Sequence, residues 1–143
     1  MNGSKKVWNV LVVALIAALS LAGLTQAAEK SKLTDLMETI NNAVKKLRKD
    51  VKKADLNKAS AELAKSASEA ATKCLEFLPE TASKVPAAEK EKFIAEYKKQ
   101  IQELAATFTE LEKALLDNKN EDAEKIITKL LDQKKKGHDQ FTE

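Results

Sequence analysis

The scarcity of glycine and proline constrains this chain more than any other feature. Of its 143 residues, three are glycine and two are proline, and beyond residue 28 only Gly137, Pro79 and Pro86 remain. Alanine, lysine, glutamate and leucine dominate the other positions, and these residues favour helix. No stretch alternates apolar and polar residues long enough to indicate a strand. The sequence therefore predicts an all-α fold.

The first 27 residues have the pattern of a secretory signal. Lys5 and Lys6 form a positive start, an apolar run covers residues 10–24, and Thr25-Gln26-Ala27 follows with small residues at the positions that a signal peptidase reads. The run has about 15 residues, fewer than the roughly 20 that a helix needs to span a bilayer. We therefore expect cleavage after Ala27 and one exported domain at residues 28–143, with an uncleaved membrane anchor as the alternative.

The charge balance argues against polyanionic partners. The chain has 25 basic and 22 acidic residues, a net charge of +3. The leader holds two of the basic and none of the acidic residues, which leaves +1 for the exported domain. Such a balance, with the two signs interspersed, favours neither nucleic acid nor an anionic membrane as a partner.

Cys74 is the only cysteine. A single cysteine provides no disulfide framework, although export favours paired cysteines, and it excludes the C-x-x-C-H attachment motif of c-type haem proteins. We expect Cys74 to be a small buried side chain, with an intermolecular disulfide as the alternative.

Four amphipathic segments follow the leader at helical spacing. The first is predicted at residues 31–53, the second from Asp55, a candidate N-cap, to Pro79, the third after Pro86, and the fourth from Asn120, which can cap it. Short connections make the joined helices antiparallel neighbours, so the prediction is an up-down-up-down four-helix bundle. The positions predicted to face its interior are Leu33, Met37, Ile40, Val44, Leu47 and Val51; Leu56, Ala59, Leu63, Ala67, Ala70, Cys74 and either Phe77 or Leu78; Phe93, Tyr97, Ile101, Leu104, Phe108, Leu111 and Leu115; and Ala123, Ile126, Ile127, Leu130, Leu131, Lys134, His138 and Phe141.

Met37 and His138 are the only methionine and the only histidine beyond the leader. The start of the first helix and the end of the fourth lie at one end of such a bundle, so we expect the thioether and the imidazole to face the same interior slot at similar depth. This donor pair suits low-spin haem iron. Cu(I) also accepts thioether ligands, although one of each makes a sparse copper site, and zinc needs more nitrogen, thiolate or carboxylate ligands.

Each of these residues also has a simpler explanation. Met37 on an apolar stripe is explained as core filling, and His138 near a helix C-terminus as a complement to the helix dipole. Phe93, Tyr97 and Ile101, near the start of the third helix, can add bulk around a haem or can be plain bundle core.

Two stretches resemble the cytochrome b562 family, and the similarity extends over essentially all of residues 28–143. Residues 33–41, LTDLMETIN, are similar to the family's opening helix, where a methionine followed by Glu-Thr is the sixth haem ligand. Residues 134–141, KKKGHDQF, are similar to the closing helix, whose histidine is the fifth ligand. The resemblance implies that Met37 and His138 are the iron ligands.

The same resemblance assigns surrounding positions. Leu33 and Ile40 match apolar pocket residues of the family, and Tyr97 and Ile101 fall where it has phenylalanines against the haem. Some members carry basic residues after the histidine that can help the haem propionates. This chain ends differently, and Lys134 is the nearest replacement cation.

The resemblance implies one non-covalent haem b per chain in a periplasmic one-electron carrier that meets redox partner proteins. We expect a monomer with no nucleic-acid partner and no stable membrane association after signal cleavage. No Ser/His/Asp set, carboxylate pair or phosphate loop is apparent, so we do not expect an enzyme. The alternative is a haem-free periplasmic bundle, a binding or chaperone-like module in which Met37 and His138 are incidental.

Overall fold

The computed structural model describes the backbone of residues 4–142 and the side chains of residues 25–142. Its four α-helices are α1, Ser4–Asp50; α2, Asn57–Cys74; α3, Ala87–Leu116; and α4, Asn120–Phe141. The described backbone contains no strand. The predicted all-α, four-helix architecture is confirmed.

The chain divides into two compact units, Met1–Lys32 and Leu33–Glu143. In the first, every side chain that is described, at residues 25–32, is exposed. The side chains of the predicted signal's positive start and apolar run lie outside the described residues, and cleavage after Ala27 stays a prediction. Among the described residues, none of the helices combines the length and the apolar character that a membrane span requires.

The second unit is built around one apolar core to which all four helices contribute. Its largest fully buried side chains include Leu47, Tyr97, Phe108, Leu111 and Leu130. Burying a side chain of this size contributes roughly 1.5–3 kcal/mol, which makes the core the main source of stability.

Helix α2 contributes small side chains to the core. Its buried residues are Asn57, Ser60, Ala61, Ala64, Ala67, Ala70, Ala71 and Cys74. Small residues let two helix backbones approach closely, and α2 packs against α3, which in turn packs against α4. Ala59 was predicted to face the interior, but it is exposed and Ser60 and Ala61 are buried instead. The prediction was wrong because, at 3.6 residues per turn, Ala59 falls at the edge of the face that buries Ala67, Ala70 and Cys74, whereas Ser60 falls near its centre.

The predicted caps of α2 and α4 are also wrong. Asp55 is exposed, and no side chain caps α2. Asn120 is the first residue of α4 rather than its cap. Its amide donates instead to the Val51 carbonyl at 2.6 Å and to Asn57 Oδ1 at 2.9 Å. The Asn120 side chain therefore makes tertiary hydrogen bonds in place of the predicted N-cap hydrogen bond.

Three asparagines join the two short connections at this end of the bundle. The buried Asn57 donates to Asn118 Oδ1 at 3.0 Å and to Asn120 Oδ1 at 2.9 Å. Asn118 has a φ of 56°, a left-handed conformation that asparagine tolerates better than most residues. The turn between α3 and α4 is therefore held against the start of α2 by side-chain amides.

The long connection between α2 and α3 closes the opposite end. Helix α2 stops at Cys74, earlier than the predicted break at Pro79, and a 3-10 turn covers Glu80–Ser83. Within that turn Ala82 is buried, and the Thr81 hydroxyl donates to the Phe141 carbonyl at 2.8 Å. The connection therefore contacts the last turn of α4.

Candidate functional site

The relative register of α1 and α4 can be estimated from contacts at the far end of the bundle. Lys52, just beyond α1, lies 3.9 Å from Glu124 of α4. Met37 precedes Lys52 by fifteen residues, and His138 follows Glu124 by fourteen. At about 1.5 Å per residue, both lie about 21–23 Å from that ion pair along antiparallel helices.

A second contact gives a bound on this estimate. Counted from the hydrogen bond between the Asn120 amide and the Val51 carbonyl, Met37 and His138 differ in depth along the bundle by about 6 Å. Counted from the Lys52–Glu124 ion pair, they differ by about 1.5 Å. Either offset is small compared with the length of the helices. The similar depth predicted for the two residues is thus supported by the helix register.

The same contacts identify the facing sides of the two helices. On α4, Glu124, Leu131 and His138 are seven residues apart and share one side. On α1, residues spaced three or four apart form one stripe that starts at Met37 and continues to Lys52, just beyond the end of the helix. That stripe consists of Met37, Asn41, Lys45, Arg48 and Lys52. We call the boundary between these two sides the α1–α4 seam.

The Met37 side chain is half-buried and packs against the core. Leu33 and Ile40, the apolar positions assigned to its surroundings, are buried, with 9% and 4% of their surface exposed. The thioether therefore lies in apolar surroundings while remaining partly accessible. Such a position allows a soft sulfur ligand to meet a bound group.

His138 is exposed in the last turn of α4, so the prediction that it belongs to the buried stripe was wrong. The physical reason is its angular position: it lies on the seam side of α4, whereas Leu130 and Phe141 point into the core. In the described part of the chain no hydrogen bond or ion pair holds the imidazole, so its ring nitrogens are available. Its role as a ligand stays a prediction.

Phe141, one turn beyond His138, is fastened by aromatic packing. Its ring makes edge-to-face contacts with Phe93 and Tyr97, with centroids 5.3 Å apart in both pairs. Aromatic pairs of this geometry contribute about 0.5–1.5 kcal/mol beyond their buried area. Sequence reasoning assigned Phe141 to the core, but only the structure shows that it anchors the turn carrying His138.

Tyr97 and Cys74 lie together beneath this aromatic group. Tyr97 is 1% exposed, and its hydroxyl donates to the Cys74 carbonyl at 3.4 Å. Burial raises the pKa of the tyrosine hydroxyl, which keeps it neutral. Cys74 is fully buried, which confirms the expectation of a small buried side chain, and burial raises the pKa of its thiol to about 11. Ile101 is likewise buried.

The side of α4 that faces α3 carries polar contacts that sequence reasoning missed. Gln100 donates to both Glu96 and Gln140. The hydrogen bond to Glu96 is the main cause that lowers the pKa of the Glu96 carboxyl. Lys136 lies 3.9 Å from the same carboxylate. The buried Gln133 Oε1 has no partner among the described residues.

Gly137 opens space beside this polar group. A Cβ built there would come no nearer than 3.8 Å to Gln100 Oε1. Lys134, one turn before His138, is half-buried, but it lies on the seam side of α4. The cation assigned to the propionates is therefore on the same side of the helix as the candidate ligand.

The donor set fits a haem better than a metal held by protein alone. Among the residues that the structure describes, no three His, Cys, Asp or Glu side chains converge. A closed protein site for zinc needs about four such ligands. Two axial side chains suffice when a macrocycle fills the other positions around iron. The half-buried thioether and the free imidazole match that requirement.

A four-helix bundle with one thioether and one imidazole near the same end has the architecture expected of a helical haem-binding protein. The sequence model of the family described as cytochrome b562 matches residues 32–142, most of the chain. This chain therefore belongs to the cytochrome b562 family, and the resemblance seen in its first and last helices is confirmed. Members of that family are haem-binding electron carriers and not enzymes. Neither the curated proteins nor the solved structures yield a match.

Proposed function

We propose that this chain is exported to the periplasm and carries single electrons through one non-covalent haem b in the α1–α4 seam, with Met37 and His138 as axial ligands. The observation that carries the proposal is the similar depth of these two residues on the facing sides of α1 and α4. Membership of the family supplies the class of cofactor.

When bound, the haem supplies reversible ferric/ferrous one-electron chemistry. His138 would contribute the one imidazole donor of the chain. The Met37 thioether contributes a soft donor, which favours the ferrous state and raises the reduction potential. In the proposed site, the buried Leu33 and Ile40 would shield the sulfur from water on one side, and Lys134 would offer a positive charge to the haem carboxylates.

The exposure of His138 also fits a carrier. An electron carrier must bring its redox centre close to a partner surface, and a ligand in the exposed last turn of α4 meets that need. We propose that the chain works as a monomer and that its partners are other redox proteins. The near-neutral charge of the proposed exported domain gives no electrostatic reason to expect nucleic acid or an anionic membrane surface as a partner.

The ligand assignment is tested by haemin titration of the purified chain. We expect the parent to give a sharp Soret band and split reduced α and β bands. The Met37→Ala variant should keep haem, but part of the haem iron should become high-spin and the reduction potential should fall. His138→Ala binds haemin at least about tenfold more weakly, a loss of about 1.4 kcal/mol.

Matched controls distinguish ligation from packing. Leu36 is half-buried beside Met37, and Asp139 is exposed beside His138, so Leu36→Ala and Asp139→Ala should keep the parental spectrum. If both ligand variants matched the parent, or if the parent took up no haemin, the proposed ligation would be wrong.

Export is tested by expressing the full chain and measuring the mass of the product recovered from the periplasm. A mass that begins at Ala28 supports the proposed processing. Retention of the intact chain in the membrane fraction contradicts it.

A further inference from the structure

The turn of α4 that carries His138 is the last turn of the helix. Helix ends fray because their last carbonyl groups lack helical partners. Two of these carbonyls nevertheless have partners here. The His138 carbonyl accepts from the Thr142 amide at 3.1 Å and the Thr142 hydroxyl at 2.6 Å. The Phe141 carbonyl accepts from the Thr81 hydroxyl at 2.8 Å.

The donors to these two carbonyl groups lie at very different distances along the sequence. Thr142 is a neighbour in sequence and moves with the turn that it caps. Thr81 is 60 residues away, on the 3-10 turn between α2 and α3, where Ala82 is buried. A hydroxyl on that turn therefore fixes the end of α4 relative to the rest of the bundle.

Thr81 acts on the backbone of a residue whose ring is also held. Phe141 packs edge-to-face on Phe93 and Tyr97, which limits sliding of the ring but leaves the main chain of the turn free to unwind. The hydrogen bond from Thr81 restrains that main chain. The two restraints together define where the preceding turn, with His138, can lie.

We propose that Thr81 is a positioning residue for the His138 turn: its hydroxyl, through the Phe141 carbonyl, keeps this turn helical and aligned with the α1–α4 seam. The inference rests on the proposed function in so far as His138 is a haem ligand. The restraint itself does not require haem.

The first arm of the test uses the haem-free chain. Thr81→Val keeps the shape of the side chain and removes the donor, and Thr81→Ser restores it. A neutral hydrogen bond contributes about 0.5–1.5 kcal/mol, so we expect amide hydrogen exchange at residues 138–142 to accelerate about two- to tenfold in Thr81→Val and to recover in Thr81→Ser. His138 is the only histidine, so its imidazole NMR signal should report greater mobility in the valine variant alone.

Thr128→Val is the matched control, because Thr128 is an exposed threonine of α4 whose hydroxyl bonds only to Glu124 of its own helix. It should leave exchange at residues 138–142 unchanged. Equal exchange in the parent and Thr81→Val overturns the proposal, as does equal acceleration in Thr128→Val.

The second arm uses the haem-loaded chain. Thr81→Val should release haem to an excess of a haem-scavenging protein about two- to tenfold faster and increase the high-spin fraction, and Thr81→Ser should reverse both effects. Faster exchange without any change in haem release or spin state overturns the positioning role. If the parent takes up no haemin, the proposed function fails, while the haem-free arm still decides whether Thr81 holds the turn.

Discussion

Asp50 is a charged residue near the end of α1 whose carboxylate is almost buried, with 7% of its side chain exposed. Lys46 lies 2.6 Å and Lys53 2.9 Å from its two oxygens. Hydrogen bonds from these lysines hold the pKa of Asp50 at about 2, below its ordinary 3.8. A single carboxylate thus neutralises part of the basic end of α1.

This pKa predicts how stability depends on acid. A carboxylate with a lowered folded-state pKa stabilises the fold fully above its unfolded pKa and loses that contribution as the pH falls through the folded value. We expect Asp50→Asn to be less stable than the parent at pH 7 in urea unfolding, with the difference disappearing between about pH 4 and 2. Asp55→Asn, at an exposed position, is the control; a constant difference across that range would contradict the assignment.

Gly137 is the weakest helix former in the turn before His138. Its φ is not positive, and an added Cβ meets only ordinary contact distances. We therefore expect Gly137→Ala to raise the free energy of unfolding of the haem-free chain by about 0.5–1 kcal/mol. Ala106→Gly, at an exposed position within α3, should lower it by a similar amount. A destabilised Gly137→Ala variant would show that the space beside Gln100 is required.

At the scale of elements, the connections do more than link helices. The Asn57, Asn118 and Asn120 amides join the start of α2 to the turn before α4, and the 3-10 turn at Glu80–Ser83 joins the end of α4. Each end of the bundle is thus closed by polar contacts between segments distant in sequence. These contacts restrain the ends of the helices in addition to the packing of the shared apolar core.

The asparagine group predicts a measurable coupling. Asn57→Ala leaves the Asn118 and Asn120 side chains without their partner, so we expect a loss of about 1–3 kcal/mol in urea unfolding. Asn42→Ala, at an exposed position in α1, should cost little. In a double-mutant cycle, Asn57→Ala and Asn120→Ala should be non-additive; simple additivity would mean that the two amides stabilise the fold independently.

At the scale of the whole molecule, the core and the candidate site use different parts of the bundle. The core is closed by large side chains in the interior and by alanines along α2. The candidate site uses the rim: a half-buried thioether and an exposed imidazole on facing sides of α1 and α4. The fold can therefore form around its own core and keep these two donors available.

This separation predicts that haem stabilises a fold already formed. Since a ligand that binds only the folded state adds RT ln(1 + [L]/Kd), haemin at a hundred times its Kd should add about 2.7 kcal/mol. Thermal unfolding should therefore shift upward with haemin in the parent and much less in His138→Ala at the same concentration. An equal shift in both would mean that haemin binds without His138.

Much of the site was predictable because it depends on residue type and helix periodicity. The burial of Leu33, Ile40, Tyr97 and Ile101, and the places of Met37 and His138 near one end of the bundle, follow from a 3.6-residue repeat and an antiparallel topology. The assignment of these residues to a haem site came from the family resemblance and stays a prediction. The exposed position of His138 did not follow, because an angular offset of a fraction of a turn separates the seam side of α4 from its core side.

The sequence by itself determined that the chain is helical, where its apolar stripes run and which side chains can ligate iron, because these depend on local composition and spacing. Only the tertiary structure decided the ends of α2, the partners of Asn120, the anchoring of Phe141 and the hydrogen bond from Thr81 to the end of α4. In each of these, a contact between segments far apart in the chain competes with a local preference. When the two are of similar strength, the sequence around a residue does not reveal which one prevails.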